Sequence, residues 1–384
     1  MIYLDHAATT PLRPEARAVL AEFAAADGPF ANPASQHAAG RAMARRIEEA
    51  RERLAALLGA EPADILWTSG ATEANNLAIL GRARFAASLG RGLVVPRTEH
   101  KAVIDPVRHL AGQGRQVQWL DPAHGAYGIC TADDFAARLT GETILACAMA
   151  VNNETGQCQD VAAIAGVCAE HGVPLHVDAA QALGKVPLTV DPGVGSMSLS
   201  AHKLGGPTGI GALYLRSRPR VGVEPLQFGG GQERGLRSGT LASMNILAFV
   251  AAAEAACAER ETAMARLASL REATWQRLTG GIAGLIRNGT ATHSSPHILN
   301  ISVPGVHGDA LRALLGEVCL SSGSACSSAQ AESSYVLRAL GHSDDLANAS
   351  LRLSFGHSTD DAEVTRAVDI IIEAVRVLRE RAVP

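Results

Sequence analysis

Lys203, in the run Ser200-Ala201-His202-Lys203, and Asp178, in Leu175-His176-Val177-Asp178-Ala179-Ala180-Gln181, are the residues of this chain best suited to shared chemistry. A primary amine can condense with an aldehyde, and a carboxylate can keep a pyridine nitrogen protonated. Together they meet the two main demands of pyridoxal 5'-phosphate (PLP), whose ring then acts as an electron sink. Asp178 closes the apolar run Val173 to Val177, and Lys203 follows Ser196 to Ser200. Both runs read as buried strands, which sets both side chains at strand ends, where open α/β sheets take ligands. A lysine after a histidine is by itself most often a surface residue of a Gly-rich loop, and other motifs change that balance.

Thr68-Ser69-Gly70-Ala71-Thr72-Glu73-Ala74-Asn75-Asn76 joins a strand to a helix. Small residues and hydroxyls at a helix N-terminus suit an anion, and equally suit an ordinary N-cap. With a Schiff-base lysine downstream, a phosphate cradle is the better account, with Ser200 and His202 as further donors. His100 follows the strand-like run Leu93 to Val95 and is placed to stack on a flat ring and carry protons, or simply to be structural. Cys326 lies in Ser321-Ser322-Gly323-Ser324-Ala325-Cys326-Ser327-Ser328-Ala329, a tract too poor in bulk to form core, so its thiol is expected to be accessible. Arg352 interrupts an apolar strand pattern, and a buried guanidinium needs an anion, either a substrate carboxylate or an internal Asp or Glu. The glycine runs at 205–211 and 229–231 do not open a helix within a βαβ unit, so they are not dinucleotide fingerprints.

These residues need a scaffold, and 384 residues with 47% hydrophobic content can build one large domain and a smaller one. The net charge of -4 and pI near 6.4 offer no basic field, so no direct nucleic-acid partner is expected. Seven cysteines without a Cys-x-x-Cys pair suggest neither a disulfide framework nor a metal site, and fit a cytoplasmic protein. The charged N-terminus lacks the apolar run of a secretory signal, and Ile246 to Ala253 is too short to span a bilayer, so no membrane association is expected.

Met43, Ile47, Ala50, Leu54 and Leu57 space an amphipathic helix over 40–58, stopped by Gly59. Strand-like and helix-like segments then alternate as far as Val177, which predicts a mainly parallel sheet covered by helices. The expected fold is α/β: a large PLP-binding domain over 13–260, and a small α/β domain from 1–12 and 261–384 that carries the Cys326 loop. A helix from Met244 to Leu267 or beyond is expected to lead out of the large domain, followed by a helix over 264–278.

The chain resembles the group I cysteine desulfurases, the NifS and IscS type of fold-type I PLP enzymes within the class V aminotransferases. Matching segments run through its length: Tyr3-Leu4-Asp5-His6-Ala7-Ala8-Thr9-Thr10-Pro11, Asn32-Pro33-Ala34-Ser35, Ser69 to Glu73, Glu99-His100-Lys101, Asn152 to Gly156, His202-Lys203, Arg237-Ser238-Gly239-Thr240 and Ser321 to Cys326. The resemblance implies that Lys203 holds the cofactor, Asp178 pairs with the pyridine nitrogen, Gln181 bonds the ring hydroxyl and His100 stacks on the ring. Ala71, Thr72, Ser200 and His202 would hold the phosphate, joined by Thr240 from the other subunit of a homodimer. Asn153 would contact cofactor and substrate, Arg352 with Asn32 would take the substrate carboxylate, and Cys326 would accept the sulfur. The implied reaction turns L-cysteine into L-alanine and leaves a persulfide on Cys326 for an iron-sulfur scaffold or another sulfur-acceptor protein. Selenocysteine lyase and cysteine sulfinate desulfinase are the alternatives. IscS-like members carry a C-terminal extension that helps dock the scaffold, and this sequence stops at Pro384, so scaffold partnership stays open.

Overall fold

The computed structural model describes residues 1–122, 127–321 and 333–382. The strands are β1 (Ile2–Tyr3), β2 (Ile65–Thr68), β3 (Gly92–Pro96), β4 (Gln116–Leu120), β5 (Thr143–Met149), β6 (Leu175–Asp178), β7 (Val194–Ser200), β8 (Gly211–Leu215), β9 (Ile286–Arg287), β10 (Ile298–Ser302), β11 (Val318–Cys319) and β12 (Ser350–Ser354). The helices are α1 (Pro14–Ala24), α2 (Ala38–Leu58), α3 (Ala71–Phe85), α4 (Lys101–Gly112), α5 (Ala132–Ala136), α6 (Val161–Glu170), α7 (Ser243–Gly281), α8 (Gly308–Leu314), α9 (Tyr335–Ala339), α10 (Asp344–Asn348) and α11 (Asp361–Ala382).

Seven strands form the main sheet in the order β2-β8-β7-β6-β5-β3-β4. Only β8 runs antiparallel to its neighbours. The six parallel strands therefore end along one edge, as the alternation of segments predicts.

Side chains alternate between two apolar faces. Trp67, Val94, Ala146, Val177, Met197 and Leu199 share a core with Ile47 and Leu54 of α2, Ile164 of α6 and Phe249 of α7. On the other face, Leu93, Val95, Leu145 and Cys147 pack with Ile79 of α3 and Val103 and Val107 of α4, while Leu66 and Leu213 meet Leu77. Strands buried on both sides read as continuous apolar runs, which is why the sequence marks them clearly. In α2, Met43, Ile47, Ala50 and Leu54 are buried, and Gly59 caps the helix at φ 66°.

A separate core gathers Ile2 and Leu4 with Leu267, Leu278, Leu299, Ile301, Leu351, Leu353, Phe355 and Ile371. It rests on the antiparallel sheet β12-β10-β9 and the parallel pair β1-β11, and α11 packs against it. The two helices expected over 244–278 are one continuous helix, α7. No Gly or Pro interrupts residues 243–279, so nothing breaks the backbone hydrogen bonding where the apolar pattern changes face.

Candidate active site

Five parallel strands deliver the site. Ser69 to Glu73 follow β2, His100 follows β3, Asn153 follows β5, Ala180 and Gln181 follow β6, and Ser200 to Lys203 close β7. Residues from all five segments line one cavity of about 410 Å³, together with Ala7, Ala8 and Arg352 from outside the sheet. The structure thus brings together Ala71, Thr72, His100, Asn153, Asp178, Gln181, Ser200, His202, Lys203 and Arg352. Asn32 and Thr240 line a different groove, of about 340 Å³, with Arg51, Glu233 and Leu241. Cys326 lies outside the described residues.

A short 3-10 turn, Ala201–Lys203, carries the lysine off the end of β7. Lys203 Nζ donates to the carbonyls of Ala7 (2.7 Å) and Ala8 (2.6 Å), so the N-terminal segment forms one wall of the site. His202 is held near pKa 4, by burial first and then by the charges of Lys203 and Lys185. A neutral imidazole can accept as well as donate.

Asp178 is buried, and its carboxylate accepts from Asn75 Nδ2 (2.8 Å) and from the amide of Ala180 (3.0 Å). Because Asn75 turns its NH2 to this carboxylate, its Oδ1 faces His176 Nε2 at 2.8 Å. His176 must then carry its proton on Nε2 and accept from Ser196 Oγ on Nδ1 (2.8 Å). Burial keeps His176 neutral, with a pKa of about 4, against the pull of Asp178 and Ser196. Sequence reasoning missed both supports. Asn75 and His176 stand inside the two motifs that carry the site, and no signal distinguished them from their neighbours.

His100 caps α4, its Nδ1 accepting from Ala102 N at 3.1 Å, which leaves Nε2 as the ring nitrogen that can carry a proton. At the turn into α3, Gly70 takes φ 154° and ψ 178°, a conformation that side chains resist. The amides of Ala71 and Thr72 have no helical acceptor of their own, and both residues line the cavity. Glu73 braces this turn, accepting from Ser69 N (2.7 Å) and Arg237 Nε (2.9 Å). Burial alone would raise Glu73, but these hydrogen bonds hold its carboxyl below the ordinary range.

Arg352, 3% exposed, has the internal partner that its sequence context left open. Nη2 donates to Asp5 Oδ1 (2.7 Å) and Nη1 to the carbonyl of Asn153 (2.8 Å), while Nε is buried without a partner. Asp5 neutralises the charge, and the cavity-lining guanidinium keeps a donor for a further acceptor.

These donor groups fit PLP. A buried carboxylate can meet a pyridine nitrogen, the start of α3 with Ser200 and His202 can take a phosphate, Gln181 can donate to a ring oxygen, and Lys203 supplies an amine to the same cavity.

The chain matches the aminotransferase class-V family over residues 2–367. It is 46% identical to cysteine desulfurase IscS of Methylococcus capsulatus, with 99% of this chain and 93% of that protein covered, and 45% identical to cysteine desulfurase IscS of Pseudomonas aeruginosa, covering 99% and 94%. Its fold matches a NifS-like protein with TM-score 0.90 at 30% identity, covering 98% of this chain and all of the other. DndA from Streptomyces lividans matches with TM-score 0.75 at 37% identity, covering 92% and 99%. The strand-end cavity and these full-length similarities agree: the chain belongs to the aminotransferase class-V family and, within it, to the cysteine desulfurases of the IscS and NifS type.

Proposed function

We propose that this chain holds PLP through Lys203 and moves the sulfur of L-cysteine onto Cys326, releasing L-alanine. The observation that carries the reading is the single cavity shared by Lys203, Asp178, Gln181, His100 and the first turn of α3. Asp178 would hold the pyridine nitrogen, Gln181 the ring hydroxyl, and Ala71, Thr72, Ser200 and His202 the phosphate. When bound, PLP supplies an aldehyde for the substrate amine and a ring that accepts the electron pair left by Cα–H cleavage.

Arg352 and Asn153 orient the substrate, Arg352 through its carboxylate, while Asn32, expected on the same carboxylate, lies with Thr240 in the other groove and shares no cavity with Arg352. Lys203 takes the α-proton. The Cys326 thiolate attacks the substrate sulfur: an S–S bond forms, the C–S bond breaks, and the carbon fragment leaves as alanine after protonation, with His100 as proton carrier. One thiol becomes one persulfide and no external oxidant is needed. The persulfide then passes to a sulfur-acceptor protein, an iron-sulfur scaffold or another carrier. Thr240 reaches the phosphate from the second subunit of a homodimer, which accounts for its place outside the Lys203 cavity.

The division into 1–12 with 261–384 and 13–260 belongs to the same proposal, supported by a core drawn only from residues 2–4 and 267–375. So does a cytoplasmic location. Among the described residues, no helix is long and apolar enough to cross a membrane.

The test is an absorbance spectrum before and after L-cysteine, with alanine and Cys326-bound sulfur measured in the same sample. A visible cofactor band that shifts, with alanine and persulfide in equal amounts, is the expected outcome. Full turnover by Cys326→Ser would instead favour the selenocysteine or cysteine sulfinate lyases, and absence of the band would overturn the cofactor assignment.

A further inference from the structure

Lys185, four residues after Gln181, is partly buried beside the site, and no ion-pair partner faces it among the described residues. Its charged neighbours are other cations, Lys203 and Arg352. With Lys203, it also lines a small cavity bounded by Arg13, His6, His297 and His357. Burial first, and then the two cations, push its amine well below the usual lysine range. An amine kept in such surroundings is an unfavourable choice for packing alone.

Its contacts supply a reason. Nζ donates to Gln181 Oε1 at 2.9 Å and lies 3.3 Å from His297 Nε2, and His297 Nδ1 is 2.5 Å from Ser295 Oγ. Gln181 Nε2 in turn donates to the carbonyl of Ala7 (2.7 Å), the same oxygen that accepts from Lys203 Nζ. A glutamine amide can turn over, and its two faces are opposite in polarity. A lysine amine, charged or neutral, presents N–H to an acceptor, so the Gln181 oxygen faces Lys185 and its NH2 faces the Lys203 cavity.

We propose that Lys185 is a positioning residue that locks the Gln181 amide, so that Gln181 offers a donor and never an acceptor to the ring oxygen of the cofactor. His297, anchored by Ser295, places its Nε2 3.3 Å from both the Lys185 amine and Gln181 Oε1 and so closes the same cluster. The inference rests on the PLP reading, and Lys185 itself touches neither cofactor nor substrate.

The experiment measures PLP affinity by titrating PLP into the apoenzyme of the full chain and following the bound-cofactor band, with circular dichroism as the check on folding. Wild type, Lys185→Met, Gln181→Met and the double variant are compared. Lys185→Met is expected to weaken PLP binding roughly tenfold, as does Gln181→Met, and the double variant to lose no more than Gln181→Met alone. Lys185→Gln, which keeps an N–H donor without the charge, is expected to stay within about threefold of wild type. Losses that multiply in the double variant, or Lys185→Met binding like wild type, would overturn the proposal. If Lys185→Met does not fold, the comparison of Lys185→Gln with Gln181→Met decides: a loss as large as that of Gln181→Met rejects positioning by donation. Failure of the wild type to take up PLP would overturn the cofactor assignment and this inference with it, whereas wild-type uptake matched by Lys185→Met overturns this inference alone.

Discussion

Glu99 sits next to His100 and beside Asp178, fully buried, its Oε1 accepting from Met149 N at 2.6 Å and its Oε2 without a partner. Burial, then the charge of Asp178, raise its carboxyl to about 8, with the Met149 amide pulling the other way. Glu99 is therefore protonated near neutrality and leaves Asp178 the nearby negative charge. Its folded pKa exceeds the ordinary 4.5, so the folded state binds the extra proton between those values. The associated stability is fully present below the unfolded value and is lost as pH rises through about 8. Denaturant unfolding of wild type and Glu99→Gln from about pH 5 to about pH 8.5 should show a fall that is steeper in the wild type. Parallel pH profiles would count against a buried, protonated Glu99.

At the scale of elements, the cavity depends on how closely β8 approaches the turn into α3. A Cβ on Gly211 would lie 2.3 Å from the Leu199 carbonyl oxygen and 2.7 Å from Gly70 Cα. Both are backbone atoms and cannot swing aside. Gly211→Ala is expected to lower stability by about 1–3 kcal/mol and to weaken PLP uptake, because the displaced turn carries Ala71 and Thr72. A chemical denaturation midpoint with a PLP titration checks this, and unchanged values in both would show that the strands absorb the methyl group elsewhere. Elements that bury a long apolar face were legible in the sequence: α2 lies where the spacing put it, and β3 where the run Leu93 to Val95 did. α1 was not, since Ala16 is its only fully buried residue, and five-residue helices such as α5 and α10 are too short to show a period.

For the whole molecule, the open question is the second subunit. Asn32 and Thr240 line a groove apart from the Lys203 cavity, and Phe30 and Phe228 are 89% and 78% exposed. Sedimentation of the PLP-loaded protein is expected to give about twice the 39.8 kDa of one chain. Thr240→Ala should reduce PLP affinity while leaving the mass unchanged. A monomer that retains PLP would remove the reason for assigning Thr240 to the phosphate.

Residue types and order were enough to recognise the α/β class and the alternation of strand and helix, and to single out Lys203, Asp178 and His100 as candidates, whereas Gln181 entered through the family resemblance. Each of these is encoded locally, in an apolar run, a strand end or a motif. The tertiary structure alone decided what surrounds them. Asp5 reaches Arg352 from the far end of the chain, Asn75 of α3 bridges Asp178 and His176 of β6, and His297 meets Lys185. The chemistry of a buried polar group is set by partners distant in sequence, and its own neighbours in the chain do not encode them.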